Sequence, residues 1–332
     1  MSIVLFLVLG AVVVGATPWW EPASIFDDNT TDRLLLLSNA TRLSYVSTHG
    51  SYYNPSDANA TLAQAGWIRG HEENPEFGFH AIAFVNPAAA RLLIAIRGTD
   101  LNVSGLSGQA DVCADHFLWD APPDFANFSG APDFCAKFNR STLDYFGAAR
   151  SFLASAKASY PGYHVLLTGH SLGAGLAAML ALWPSSGACP GPANDGAAVF
   201  SAPDYLYALR RRTNESFGDA QAYRVAVVAD EFDPVFYRAK ERAFEGMVGW
   251  RGLWVESQTG APSVACEVCD LVEHAKSLET PFCFACMLTR HVFSHYEALV
   301  ASGGVPKNIS RVQLCTGSET CRQNPCASPC CG

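Results

Sequence analysis

Basic residues are scarce in this sequence. The chain has 22 Lys and Arg residues against 31 Asp and Glu residues, and its formal net charge is −9. No cluster of Lys and Arg alternates with aromatic residues, which argues against a nucleic acid as a partner. The acidic composition also gives no electrostatic attraction to anionic lipid, so contact with a lipid–water interface would have to be hydrophobic.

Long apolar segments are also missing, apart from one near the N-terminus. Residues 3–16 form an unbroken run of apolar residues and Gly, which Thr17 and Pro18 follow. This run is too short to span a bilayer comfortably, and the small residues at its end suit signal peptidase. We therefore interpret residues 1–16 as a signal peptide and expect no transmembrane segment.

Cysteines and glycosylation sequons agree with a secretory route. The chain has 12 cysteines, an even number that favours six disulfides in an oxidising compartment. Composition alone predicts roughly two Asn-x-Ser/Thr sequons, but the chain has eight. They begin at Asn29, Asn39, Asn59, Asn102, Asn127, Asn139, Asn214 and Asn308. The sequence therefore predicts a secreted glycoprotein.

Four cysteines have a spacing that would suit zinc in a cytosolic protein. They form two Cys-x-x-Cys pairs, Cys266 with Cys269 and Cys283 with Cys286. Because thiols pair as disulfides in an oxidising compartment, we expect no metal here, and no organic cofactor elsewhere. We interpret residues 262–288 as a Cys-rich insertion and residues 313–332 as a Cys-rich C-terminal tail.

Strand-like and helix-like runs alternate over residues 17–312. We expect strands at 79–85, 91–96, 163–168, 197–200 and 223–228, and helices at 34–46, 141–158 and 172–183. Asn86 and Pro87 between the first two strands predict a hairpin. One face of the first helix would use Leu35, Leu36, Leu43 and Val46. The second helix would begin with a capping box of Ser141 and Asp144. Residues 101–135 show no periodicity, so we expect a surface loop closed by a Cys113–Cys135 disulfide. The alternation predicts one α/β domain with a central, mostly parallel sheet.

The most informative motif reads Gly169-His170-Ser171-Leu172-Gly173. It follows an apolar strand and precedes a helix rich in Ala and Leu. In that setting the G-x-S-x-G pattern is typical of a nucleophile elbow, a sharp turn that exposes the serine hydroxyl at the carboxyl end of a strand. Ser171 is therefore the predicted nucleophile.

A second motif makes the sequence resemble a known family. Arg97-Gly98-Thr99 directly follows the strand at 91–96. The combination of this motif with the later Thr-Gly-His-Ser-Leu-Gly elbow resembles the class 3 (fungal-type) lipase family. The resemblance extends roughly over residues 35–300 and implies an α/β-hydrolase fold. It also implies an oxyanion hole formed by the backbone N–H and hydroxyl of Thr99 and by the backbone N–H of Leu172. In the family, the residue equivalent to His170 packs in the elbow and is not the base.

The acid and the base each have two candidates. Asp230 and Asp233 both follow the strand at 223–228, and we favour Asp233 because its Asp-Pro-Val turn resembles the family's turn at the acid. For the base we favour His291 over His295. A capping box beginning at Ser294 would place His295 in the first turn of a helix and leave His291 on the loop before it.

The expected function is hydrolysis of carboxylic esters through a Ser-His-Asp triad and an acyl-enzyme. The resemblance implies acylglycerol substrates and a lid, which we place within residues 101–119, where Phe117, Leu118 and Trp119 offer an apolar face. The alternatives are a feruloyl-type or other carboxylesterase, a phospholipase, and, from another class, a non-catalytic lipase-like binding module. We expect a monomer that contacts a lipid–water interface.

Overall fold

The computed structural model describes residues 30–45, 56–73, 75, 78–100, 102–120, 132–183, 196–213, 224–230, 233, 235, 250–254, 291–303 and 307–308. The predicted signal peptide, the Cys-rich insertion with its two Cys-x-x-Cys pairs, and the Cys-rich tail lie outside the described residues. Within the described residues, no helix has the length and hydropathy needed to cross a membrane.

One sheet of eight strands organises the described part of the chain, and its strands are adjacent in chain order. They are β1 (Ile68–Glu73), β2 (Ala81–Asn86), β3 (Arg91–Ile96), β4 (His164–Gly169), β5 (Gly196–Phe200), β6 (Val225–Asp230), β7 (Trp250–Trp254) and β8 (Lys307–Asn308). The strands from β3 to β7 pair in parallel, whereas β1, β2 and β8 add antiparallel pairs at the two edges. The predicted α/β fold with a central, mostly parallel sheet is confirmed.

Helices cover both faces of this sheet. They are α1 (Thr30–Ser44), α2 (Ser56–Gln64), α3 (Leu106–Asp115), α4 (Arg140–Leu143), α5 (Tyr145–Ser159), α6 (Leu172–Leu182), α7 (Tyr205–Thr213) and α8 (Phe293–Ala301). Residues of α3, α5, α6 and α7 share one hydrophobic core, and residues of α1, α2 and α8 share the other. Successive side chains of β3 alternate between the two cores, because neighbouring residues of a strand point to opposite faces.

The expected hairpin of β2 and β3 is present, with Asn86 paired to Arg91 across the turn. Two helix predictions need correction. Residues 141–158 do not form one helix: α4 ends at Leu143, and Asp144 caps α5 by accepting a hydrogen bond from the Gly147 N–H at 3.2 Å. In α1 the buried apolar residues are Leu34, Leu37, Ala40 and Leu43. The expected Leu43 is among them, Leu35 is exposed, and Val46 lies outside the described residues.

The expectation of a surface loop at residues 101–135 is wrong for the described part of that segment. It contains α3, a π-helical turn at His116–Asp120 and, after a gap, a short 3₁₀ helix at Asp133–Lys137. The Cys113–Cys135 disulfide is present. Phe117 and Leu118 are buried in the core, so they do not form the exposed apolar face that the sequence suggested for a lid.

Candidate active site

Ser171 lies at a tight turn between β4 and α6. It has a φ of 56°, a left-handed conformation that costs a non-glycine residue about 1–3 kcal/mol. Its N–H donates to the Phe200 carbonyl at 3.1 Å, which ties the turn to the end of β5. A Cβ added at Gly173 would lie 2.2 Å from the Ile96 oxygen, and one at Gly169 would lie 2.6 Å from Gly173 C. Both glycines of the motif are therefore required by close backbone packing.

His291 bridges Ser171 and Asp233 in the folded chain. The distance from His291 Nε2 to Ser171 Oγ is 2.8 Å, and His291 Nδ1 is 3.0 Å from each oxygen of the Asp233 carboxylate. Because an ionised carboxylate only accepts hydrogen bonds, Nδ1 donates to Asp233, and Nε2 is left to accept from the serine hydroxyl. This is the arrangement in which a histidine can withdraw a proton from a serine.

Asp233 is fully buried, and hydrogen bonds keep it ionised. Besides His291, the Tyr296 hydroxyl donates to it at 2.6 Å and the Val235 N–H donates at 2.8 Å. Burial alone would raise the pKa of Asp233, but the charge of His291 and hydrogen bonds from His291, Ser201 and Tyr296 lower it to about 2. Ser201 Oγ also lies 3.1 Å from His291 Nδ1. Sequence reasoning identified neither Ser201 nor Tyr296.

The two alternative candidates lie within regular elements, whereas Asp233 follows β6 and His291 precedes α8. Asp230 is the last residue of β6. His295 lies in the first turn of α8, where its ring contacts that of Tyr296. The predicted capping box at Ser294 is wrong, since α8 begins at Phe293 after Val292 and has no side-chain cap.

Thr99 follows β3, and Leu172 is the first residue of α6. The Thr99 hydroxyl donates to Asp115 at 2.5 Å, and the Trp119 indole N–H donates to the other oxygen of that carboxylate at 2.9 Å. When Asp115 is ionised, the single proton of the Thr99 hydroxyl is used in this hydrogen bond, so the backbone N–H of Thr99 is the group left for an oxyanion. Burial raises the pKa of Asp115 to about 7. Asp115 has no local sequence signal and was missed.

A buried ion pair holds the middle of α3 against the residue that follows β3. Arg97 Nη2 lies 2.9 Å from Asp111 Oδ2, and the same carboxylate accepts from the Tyr145 hydroxyl at 2.7 Å and the Asp100 N–H at 2.8 Å. Burial alone would lower the pKa of Arg97, but Asp111 and its neighbours raise it. The loop that carries Thr99 is therefore fixed from both sides. Arg97 was noted only as part of a motif, and Asp111 was not predicted.

The geometry combines a serine hydroxyl, a histidine in contact with it and a buried carboxylate behind the histidine. Such a set can form and hydrolyse an acyl-enzyme without a metal. Among the residues that the structure describes, no cluster of His, Cys, Asp and Glu could hold a metal ion.

Residues 93–230 match the family model for class 3 lipases. No curated protein matches the chain significantly. Similar solved structures include the Lip2 lipase of Yarrowia lipolytica, which is 17% identical over 64% of this chain and 74% of that chain, with a TM-score of 0.37. A lipase of Rhizopus microsporus var. chinensis is 15% identical over 68% of this chain and 75% of that chain, with a TM-score of 0.40. Lipase II of Rhizopus niveus is 12% identical over 68% of this chain and 81% of that chain, with a TM-score of 0.41.

The matched range covers β3 with the Arg97-Gly98-Thr99 motif and β4 with the elbow at Ser171. It therefore includes both of the motifs on which the resemblance was based. Residues 93–230 are therefore similar to class 3 lipases, and this family match supports a carboxylic ester hydrolase.

Proposed function

We propose that the protein is a secreted acylglycerol lipase that acts through a triad of Ser171, His291 and Asp233. The observation that carries this proposal is the chain of hydrogen bonds from Ser171 Oγ through the His291 imidazole to Asp233, with distances of 2.8 and 3.0 Å. The nucleophile, acid and base occur in the order Ser, Asp, His along the chain, as in other α/β-hydrolases.

In the first half of the reaction, Ser171 Oγ attacks the ester carbonyl carbon while His291 Nε2 takes its proton. Asp233 stabilises the imidazolium that forms. Collapse of the tetrahedral intermediate breaks the bond to the alcohol oxygen, and His291 returns the proton to that oxygen. In the second half, a water gives a proton to His291 and attacks the acyl carbon. The bond from that carbon to Ser171 Oγ then breaks, His291 returns the proton to Oγ, and the fatty acid is released.

The developing oxyanion would be stabilised by backbone N–H groups of Thr99 and Leu172. Leu172 suits this role because it begins α6, where the N-terminal N–H groups of a helix have no partner within the helix. Thr99 suits it because the ion pair of Arg97 and Asp111 fixes the loop after β3. Together these elements hold the two donors at the same edge of the sheet as Ser171.

Secretion, glycosylation and the outer segments are part of the same proposal. The Cys113–Cys135 disulfide supports an oxidising compartment. We further propose a signal peptide at residues 1–16, a hydrolase domain at residues 17–312 with a Cys-rich insertion at 262–288, a Cys-rich tail at 313–332, and a monomeric protein. Contact with a lipid–water interface would use Val103 and Leu106, which are exposed at the beginning of α3.

The test is hydrolysis of nitrophenyl acyl esters of increasing chain length by the purified protein, with Ser171→Ala measured beside it. We expect activity that rises toward long chains and is lost in the variant. A preference for short chains or feruloyl esters would favour an esterase, and cleavage of phospholipids in preference to acylglycerols would favour a phospholipase. Equal rates in both proteins, or none in either, would reject the mechanism and favour a binding module.

A further inference from the structure

His170 connects the turn at Ser171 to the segment that carries His291. Its Nε2 lies 2.6 Å from the backbone carbonyl oxygen of His291, and its Nδ1 lies 2.8 Å from the hydroxyl of Tyr45, the residue that follows α1. The ring is almost completely buried and lies against the His291 ring, with 4.8 Å between the ring centroids. His170 is therefore hydrogen-bonded at both nitrogens, which is more than a packing role requires.

The hydrogen-bond partners determine the tautomer of His170. A carbonyl oxygen can only accept, so Nε2 must carry the proton that points to His291. In a neutral imidazole Nδ1 then has no proton and accepts from the Tyr45 hydroxyl. The His291 carbonyl therefore fixes the tautomer, and the Tyr45 hydroxyl, which can donate or accept, donates to the unprotonated Nδ1.

The surroundings keep the imidazole neutral. Burial, followed by the charge of the neighbouring His291, lowers the pKa of His170 to about 3, although Asp233 acts in the opposite direction. The other titratable groups that face the ring are Tyr45 and Tyr296. A neutral His170 adds no positive charge next to His291 when His291 takes a proton from Ser171.

We propose that His170 is a positioning residue for the base, holding the backbone of His291 through Nε2–H, and that Tyr45 fixes the orientation of the His170 ring through its hydrogen bond to Nδ1. The proposal rests on the proposed function, in which His291 is the base. It assigns a role to two residues that touch neither the substrate nor the reacting atoms.

The same Tyr45 hydroxyl also contacts the loop that carries Thr99. A Cβ added at Gly98 would lie 2.1 Å from that hydroxyl and 2.4 Å from the His170 carbonyl oxygen. The Tyr45 ring stacks on Phe293 at the beginning of α8, with 5.8 Å between the centroids. Tyr45 thus lies where the oxyanion loop, the nucleophile turn and the base segment meet.

The kinetic test compares His170→Leu, His170→Gln and Tyr45→Phe with the wild type on a soluble nitrophenyl ester. Misplacement of a catalytic group by about 1 Å can cost on the order of 100-fold in rate. We expect kcat to fall at least about tenfold in His170→Leu and less in Tyr45→Phe, with KM changed by less than about twofold. His170→Gln retains a donor and should recover part of the loss.

His164→Leu and Tyr163→Phe are matched controls, because His164 begins β4 and Tyr163 precedes it, at the end of the strand opposite Ser171. Both should retain wild-type kcat. If folded His170→Leu also retains wild-type kcat, the positioning role is rejected and the proposed function stands. If the wild type is no faster than Ser171→Ala, the proposed function fails, and the positioning role fails with it.

A spectroscopic measurement tests the tautomer without using activity. In protein labelled with ¹⁵N-histidine, we expect the His170 resonances to show a protonated Nε2 and an unprotonated Nδ1 between pH 5 and pH 8. Tyr45→Phe should shift the Nδ1 resonance, because this nitrogen loses its hydrogen-bond donor, and should leave the proton on Nε2, whereas Tyr163→Phe should leave both resonances unchanged. A wild-type His170 that is protonated at Nδ1 would overturn the proposal.

Discussion

Gly173→Ala would force apart the two backbone segments that carry the proposed oxyanion donors. The new Cβ would lie 2.2 Å from the Ile96 oxygen and 2.7 Å from the Arg97 oxygen, whereas ordinary contacts of this kind are 3.4–4 Å. Both obstacles are backbone atoms that cannot rotate away. The beginning of α6 and the end of β3 would therefore have to separate by about 1 Å.

That displacement acts directly on the proposed chemistry. Leu172 is next to Gly173, and Thr99 follows Arg97 by two residues, so the two N–H groups would no longer converge on one oxygen. A misplacement of about 1 Å can cost on the order of 100-fold in rate. Overpacking of this kind also destabilises a protein by about 1–3 kcal/mol. We expect kcat/KM to fall by about 100-fold and the free energy of unfolding to fall by about 2 kcal/mol.

The assay measures kcat/KM on a soluble nitrophenyl ester together with urea unfolding. Gly162→Ala is a control for destabilisation without displacement of the site. Gly162 has a φ of 81°, its added Cβ would meet nothing within 4 Å, and it precedes β4 at the end remote from Ser171. This control should lose about 1 kcal/mol of stability and retain its activity. If Gly173→Ala keeps kcat/KM within about twofold of Gly162→Ala, the argument from backbone packing is refuted.

Two further predictions concern buried carboxylates. Because the pKa of Asp115 is raised to about 7 from an ordinary value of 3.8, its folded form holds a proton that the unfolded chain releases, and this contribution to stability decreases as the pH rises between these values. The free energy of unfolding of the wild type, taken relative to that of Asp115→Asn, should therefore be lower at pH 8 than at pH 4 in urea unfolding. A difference between the two proteins that does not change with pH would contradict this. Tyr296→Phe removes a hydrogen bond to the Asp233 carboxylate. It should lower the free energy of unfolding by about 1.5–3 kcal/mol and reduce kcat. The prediction fails if both quantities match those of the wild type.

Local sequence patterns were sufficient to predict the strands at the centre of the sheet. The apolar runs of β2 and β3, separated by Asn86 and Pro87, indicated a hairpin because strand length and turn residues are local properties. The turn at Ser171 was equally predictable from local sequence, since small residues must flank the serine. By contrast, α3 was missed because its buried side of small and polar residues, which includes Asp111, has no apolar periodicity.

The residues around the proposed triad are not encoded locally. Asp230 and Asp233 both follow β6 closely, so only the path of the chain shows which carboxylate contacts His291. Tyr296 and Asp233 are 63 positions apart, and Tyr45 and His170 are 125 positions apart. No spacing rule relates residues at such separations, because folding of the whole sheet brings them together.

The most direct test of the central claim is chemical labelling of the nucleophile. The purified protein would be treated with a nitrophenyl alkylphosphonate, digested and mapped by mass spectrometry, with Ser171→Ala treated in parallel. A triad-activated serine predicts release of one nitrophenol per molecule and a phosphonyl group on the peptide that contains Ser171, with no labelling of the variant. Labelling at another residue, or equal labelling of both proteins, would contradict the account.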